Sequence, residues 1–490
     1  MKKSLAVTLV ALFVLAVSFA MVPKKANAIP AFAQKYHFSC AVCHTVFPNL
    51  NPFGRAFWRN GFRLPGTNGT PADATQIANG LSLPNPWPIP IVLEAQVFYQ
   101  HLTNENTNLK IGGIKSNGQT DMFNYKTNLV IGGATKLYTP FANSLSFYAN
   151  YGENGGGGTI GANQVWASLD GIGSGFGLPS HLVNLKLGNI TTASPYFYRQ
   201  NPFSGGFIEG PVMNGQNLTV GYDGEGGALI HAQNEGIALY GTPGYHLWYK
   251  VTVTNDAGNG NSISSPANNN YGEASTSSNA TSSNAMEYSY QLKEYLPTSA
   301  GQLEFGYYGA SIAEPLTADN LLTGTQNTWT DGIQVNGVDV DLANDVYELG
   351  LTYMEQHDSN PYNDYFNGTS YHNTNGYNTF EVYGRYLFPT LLGHGAMLVA
   401  DFSTYSWQHK QTEELYNQAV GNTSPTCANG DLYENGTYTS SNNCTNEGIK
   451  DAFDIFGDLN LAYNAHLYAG YIFTNKSQDN MFRTGLYFAF

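Results

Sequence analysis

From residue 91 onward the chain falls into segments of about ten residues in which apolar and polar side chains alternate, divided by clusters of Gly, Asn, Ser, Pro and Asp. Clear segments cover 91–101, 121–133, 144–151, 245–255, 286–294, 302–312, 345–354, 379–388, 396–405 and 466–474. Weaker ones bring the total to about sixteen over some 400 residues, near 25 residues for each strand with its loop. Period-two alternation over that length leaves two architectures, a string of β-sandwich domains or one large barrel.

The final strand separates them. Arg483-Thr484-Gly485-Leu486-Tyr487-Phe488-Ala489-Phe490 sets a polar residue, a glycine and alternating hydrophobics ahead of a terminal Phe. It resembles the C-terminal signal of bacterial outer-membrane barrels. The expected fold is therefore mainly β, an outer-membrane antiparallel barrel of about sixteen strands over 91–490, carrying a short N-terminal module. A lipid-exposed sheet must close to leave no unpaired edge, with apolar side chains outside and polar ones in the lumen. Low average hydrophobicity is compatible with that arrangement.

Loop lengths test the parity of such a barrel, since turns on the periplasmic side are short and loops on the outside are long. Residues 389–394 read as a short inward turn, and 406–451 as a long external loop. The segments 256–285 and 313–344 both look too long for periplasmic turns, so one strand is missed or invented there.

Residues 1–28 begin with Lys2 and Lys3, continue through an apolar run from Leu5 to Val22, and end in Ala26-Asn27-Ala28. This is the pattern of a cleaved secretory signal, giving a mature chain from Ile29. Losing Lys2, Lys3, Lys24 and Lys25 moves the formal charge from −15 to −19. So acidic a chain is a poor binder of nucleic acid. Yet 14% of its residues are aromatic and only 12% charged, which argues against disorder.

Residues 29–90 form a separate module that ends in a linker holding Pro84, Pro86, Pro88 and Pro90. Within it lies Cys40-Ala41-Val42-Cys43-His44. In such a motif two thiolates add to the haem vinyl groups and the adjacent imidazole ligates the iron. Cys40 and Cys43 are the expected thioether anchors, His44 the expected iron ligand, and the cofactor one covalently bound haem c. The competing zinc site is disfavoured because one Cys pair and one His give only three ligands and no partner CxxC exists. Cys427 and Cys444 bracket a polar segment and read as a loop-closing disulfide in an oxidising compartment.

The far side of the iron is the open position. Between His44 and Pro90 there is no Met and no further His, so the module lacks a distal ligand of its own. His37 stands too close to Cys40 for the opposite face. The barrel offers His101, Met122, His181, Met213, His231 and His246, of which Met213 is preferred because its Gly- and Pro-rich stretch breaks the strand period. About sixty residues are also few to bury a haem, so the module is expected to pack into or against the periplasmic mouth of the barrel.

Ile29-Pro30-Ala31-Phe32-Ala33, Ser39-Cys40-Ala41-Val42-Cys43-His44, Pro48, Leu50-Asn51, Phe53-Gly54, Phe57 and Gly61-Phe62 together resemble the fused cytochrome–porin family of outer-membrane proteins. The resemblance covers about 35 residues by motif and the barrel by architecture alone. It implies a monohaem cytochrome in the cell outer membrane that takes electrons from extracellular Fe(II). A periplasmic cytochrome or cupredoxin would accept them, in an Fe(II):cytochrome oxidoreduction by one-electron outer-sphere transfer. The competing readings are a haem-bearing solute porin, whose haem is a plug or sensor, and a haem peroxidase, which needs a vacant sixth position.

Overall fold

The computed structural model describes residues 42–46, 49–63, 74–78, 81–84, 91–102, 110–111, 114–115, 121–137, 139–154, 161–191, 233–244, 246–255, 286–320, 325–359, 374–391, 394–407, 451–462, 465–474 and 480–489. Among them, sixteen antiparallel strands close into one barrel. They are β1 (Ile91–Leu102), β2 (Asp121–Lys136), β3 (Ser144–Asn154), β4 (Gly161–Asp170), β5 (Asn184–Thr191), β6 (Gln233–Gly241), β7 (Leu247–Asn255) and β8 (Met286–Thr298). After these come β9 (Gly301–Asn320), β10 (Thr325–Ala343), β11 (Tyr347–Asp358), β12 (Asn375–Leu391), β13 (His394–Trp407), β14 (Asp451–Ala462), β15 (Ala465–Thr474) and β16 (Met481–Ala489). Each pairs with its neighbours in sequence, and β16 returns to β1 with Met481 opposite Leu102 and Phe488 opposite Ala95. Closure leaves the sheet no edge to present to lipid.

The alternation sorts chemistry by face. On β1 the exposed side chains are Ile91, Leu93 and Val97, while Gln96 and Gln100 are buried toward the lumen. On β8 Leu292 faces out, and Gln291 and Lys293 face in. Exposed Leu349 and Leu351 on β11, Leu398 and Phe402 on β13 and Phe453 and Ile455 on β14 continue the apolar belt. Such a belt around a polar interior is what the hydrocarbon layer requires.

At one end the strands are joined by the short spans 137–143, 242–246, 299–300, 344–346, 392–393 and 463–464, with the longer 171–183. The other end carries the long spans 103–120, 192–232, 256–285, 359–374 and 408–450, with the shorter 155–160, 321–324 and 475–480. The first is therefore the periplasmic end. The parity conflict in the sequence is resolved by a missed strand. Residues 313–344 are not a loop: β9 runs on to Asn320, and Thr325–Ala343 is a complete strand paired with it, Asn320 opposite Thr325 and Gln302 opposite Ala343. The 256–285 segment then lies at the outer end.

Ahead of the barrel, His44–Val46 pairs with Asn49–Leu50, and α1 (Pro52–Arg59) follows. The helix lies inside the lumen at the periplasmic end. Phe57 and Phe62 are buried there with the inward-facing Tyr148, Trp166, Ile190 and Ala238. Signal residues 1–28, Cys40, Met213, His231, Cys427 and Cys444 lie outside the described residues.

Candidate functional site

The segment after the Cys-His motif is built from strong local signals. Asn51 caps α1, accepting the Gly54 N–H on its side-chain oxygen at 2.9 Å, and Pro52 occupies the first helical position, where no N–H is needed. At the other end the Phe62 N–H donates to the Phe57 carbonyl and the Gly61 N–H to that of Trp58, the two bonds of a Schellman cap. Gly61 has a φ of 68°, and Phe62 follows at 62°, a left-handed value uncommon for an aromatic residue. What holds Phe62 there is a stack: its ring lies 5.9 Å from Trp166 with planes 6° apart, and 5.8 Å from Tyr148. Ser146 also donates to the Gly61 carbonyl at 2.7 Å.

Three arginines at helical spacing tie this segment to the wall. Arg55 donates to Glu348 on β11 at 2.9 Å and lies 3.7 Å from Asp341 on β10. Arg59 meets Glu304 on β9 fork to fork at 3.1 and 3.2 Å, and donates to the Tyr295 hydroxyl on β8. Arg63 donates to Asn184 on β5 at 2.9 Å, with Asp170 on β4 3.7 Å away. Residues 55–63 therefore sweep across the inner wall from β11 to β4. All three guanidiniums are buried. Burial pulls the Arg59 pKa down, but Glu304 and Tyr295 outweigh it and hold the guanidinium above its ordinary value.

The same knot fixes the backbone at Val42 and Cys43. The Asn51 N–H donates to the Cys43 carbonyl at 2.9 Å, and its side-chain amide donates to the Val42 carbonyl at 3.0 Å. A Cβ at Gly54 would overlap that Cys43 oxygen, so only glycine lets the helix approach so closely. His44 pairs with Leu50, and the His44–Val46 strand lies beside β13. Cys43 is half-buried. This chemistry fits a c-type haem: a thiol and the adjacent His sit on a backbone locked from two sides, within a protein exported to where such attachments are made.

The proposed distal ligands scatter. His101 is at the outer end of β1 and Met122 at the outer end of β2. His181 and His246 sit in the periplasmic turns after β4 and β6, where they line a cavity of about 360 Å³ with Phe53, Trp248 and Tyr295. The three arginines went unread in the sequence. The available signal was their spacing and their density, half of the six arginines within nine residues of a charge-poor chain.

Neither a protein-family model nor a curated protein sequence matches the chain. Solved structures of outer-membrane proteins do. OprB of Pseudomonas putida is 8% identical with a TM-score of 0.49, over 82% of this chain and 94% of that one. A loop-deletion mutant of OmpT, an outer-membrane protein of Vibrio cholerae, is 9% identical with a TM-score of 0.44, over 82% and 99%. A mutant of Rh. blastica porin is 12% identical with a TM-score of 0.40, over 82% and 100%. The chain is an outer-membrane β-barrel. Its closure and its apolar outer face carry that conclusion. The periplasmic mouth of this porin-like barrel holds a helical segment anchored by charge.

Proposed function

We propose that the chain is an outer-membrane monohaem cytochrome that passes electrons from extracellular Fe(II) to a periplasmic cytochrome or cupredoxin. The observation that carries this reading is the fastening of residues 51–63 inside the lumen, directly after the Cys40-Ala41-Val42-Cys43-His44 motif. A haem on that motif would be held at the barrel mouth, between the outer solution and the periplasm. When bound, it supplies a one-electron redox centre, so each Fe(II) leaves as Fe(III) and one electron goes on to the periplasmic carrier. Cys40 and Cys43 would hold it and His44 would ligate its iron.

The inner wall also carries buried acidic side chains. Glu381, Asp401 and Asp454 face the lumen from β12, β13 and β14, with Asp401 directly opposite Asp454. On β12 Glu381 lies toward the outer end from Arg385, which bonds Glu348 beside Arg55. The ferrous donor comes from the family resemblance and the haem from the Cys-His motif. An anaerobic Fe(II) titration of the purified protein, followed by haem absorbance, tests both. Reduction by one equivalent supports the proposal, and a haem left ferric by excess Fe(II) refutes the donor.

The second reading, a solute porin in which the haem is a plug or sensor, is favoured by the sixteen-strand barrel with its polar lumen. Planar-bilayer conductance separates the two. A steady, wide wild-type pore supports transport, while a narrow or closed one supports the conduit.

A further inference from the structure

We infer that His466, on the barrel wall, supplies the second axial ligand of the haem iron, opposite His44. The inference rests on the haem reading above and names what that reading leaves open. His466 is the second residue of β15, so it lies at the periplasmic end, where α1 is anchored. It points into the lumen and is only 1% exposed, unlike the rim histidines His181 and His246.

Its ring is held from one side by a carboxylate. The Nδ1 atom is 3.0 Å from Oδ1 of Asp458 on β14. With Asp458 ionised its carboxylate only accepts, so that Nδ1 carries the donated proton and the basic lone pair falls on Nε2. An imidazole held by a carboxylate through one nitrogen, with the other directed to a metal, is the usual outer-shell arrangement of a ligating histidine.

The strand order brings this pair to the motif. Asp458 stands directly opposite Met397 of β13, and β13 is the strand beside which His44–Val46 lies. His466 is thus two strands from the haem-bearing segment on the same wall. His181 and His246, in the turns after β4 and β6, belong to the opposite wall, and His101 and Met122 to the far end.

The test is the spectrum of purified haem-loaded protein, with covalent haem counted separately as the pyridine haemochrome. Wild type should be six-coordinate and low-spin. His466→Ala should turn high-spin and recover a low-spin spectrum with added imidazole. His466→Met should stay low-spin at a raised reduction potential. Asp458→Asn should stay low-spin and also shift upward, because a less basic imidazole stabilises ferric iron less. Electrophoretic heat-modifiability of each variant confirms a folded barrel. A low-spin His466→Ala spectrum identical to wild type overturns the inference. So does a loss of the ligand in Met397→Ala alone, or a wild type that is already high-spin. A folded wild type that yields no haemochrome overturns the haem reading itself.

Discussion

Arg59 of α1 and Glu304 of β9 face each other as two planar forks inside the lumen, 3.1 and 3.2 Å apart, with almost no exposure to solvent. Lys293 adds a second cation 3.9 Å from Glu304 and is itself bonded to Asp339 at 2.7 Å. Forming a buried pair stabilises little on balance, because desolvation offsets the attraction, but removing one partner strands the other and costs about 3–5 kcal/mol. Arg59→Ala should therefore loosen residues 51–63 and raise single-channel conductance well above that of wild type. Equal conductance of the two proteins would show that the anchored segment does not obstruct the lumen.

The stack around Phe62 gives a second, graded expectation. Phe62→Ala removes a ring 5% exposed and should cost about 3–5 kcal/mol of the segment's docking. Phe62→Gly removes the same ring but relieves the left-handed φ, so it should be milder by about 1 kcal/mol. Protection of residues 51–63 from protease reads this order, and a glycine variant more susceptible than the alanine one would refute it.

At Gly54 the consequence is cofactor loading. A methyl group there overlaps the Cys43 carbonyl oxygen and must displace the Cys43 peptide. Gly54→Ala should lower haemochrome per folded barrel several-fold. Gly384→Ala on β12, where an added Cβ meets its nearest neighbour, a Leu349 methyl, at 3.6 Å, should leave it unchanged. Equal loading in both variants would separate the helix approach from haem attachment.

The fold was legible wherever one phase of alternation ran the length of a strand. On β10 it did not. In its outer half Ile333 and Val335 face in while Gln334 and Asn336 face out; past Gly337 the exposed residue is Val338 and the buried ones are Asp339 and Asp341. The polarity inverts midway, because the outer half projects beyond the hydrocarbon, and the two halves cancel in any sequence average. The Cys40-Ala41-Val42-Cys43-His44 motif stands out because its spacing is local. Its anchors do not, since Arg55, Arg59 and Arg63 meet carboxylates and amides 100 to 300 residues away that only barrel closure brings together. His466 was hidden for the same reason: Asp458 is eight residues off, but β13 comes beside them only through the sheet.

The central claim is electron passage through a haem held in a narrowed barrel. Proteoliposomes enclosing a soluble ferric c-type cytochrome, with Fe(II) added only outside, test it most directly. Wild type should reduce the enclosed cytochrome, and a Cys40→Ala, Cys43→Ala protein of the same barrel content should not. Equal reduction through both barrels would mean that Fe(II) itself crosses an open pore, and no reduction through wild type would mean that the haem is not a conduit; either result contradicts the account.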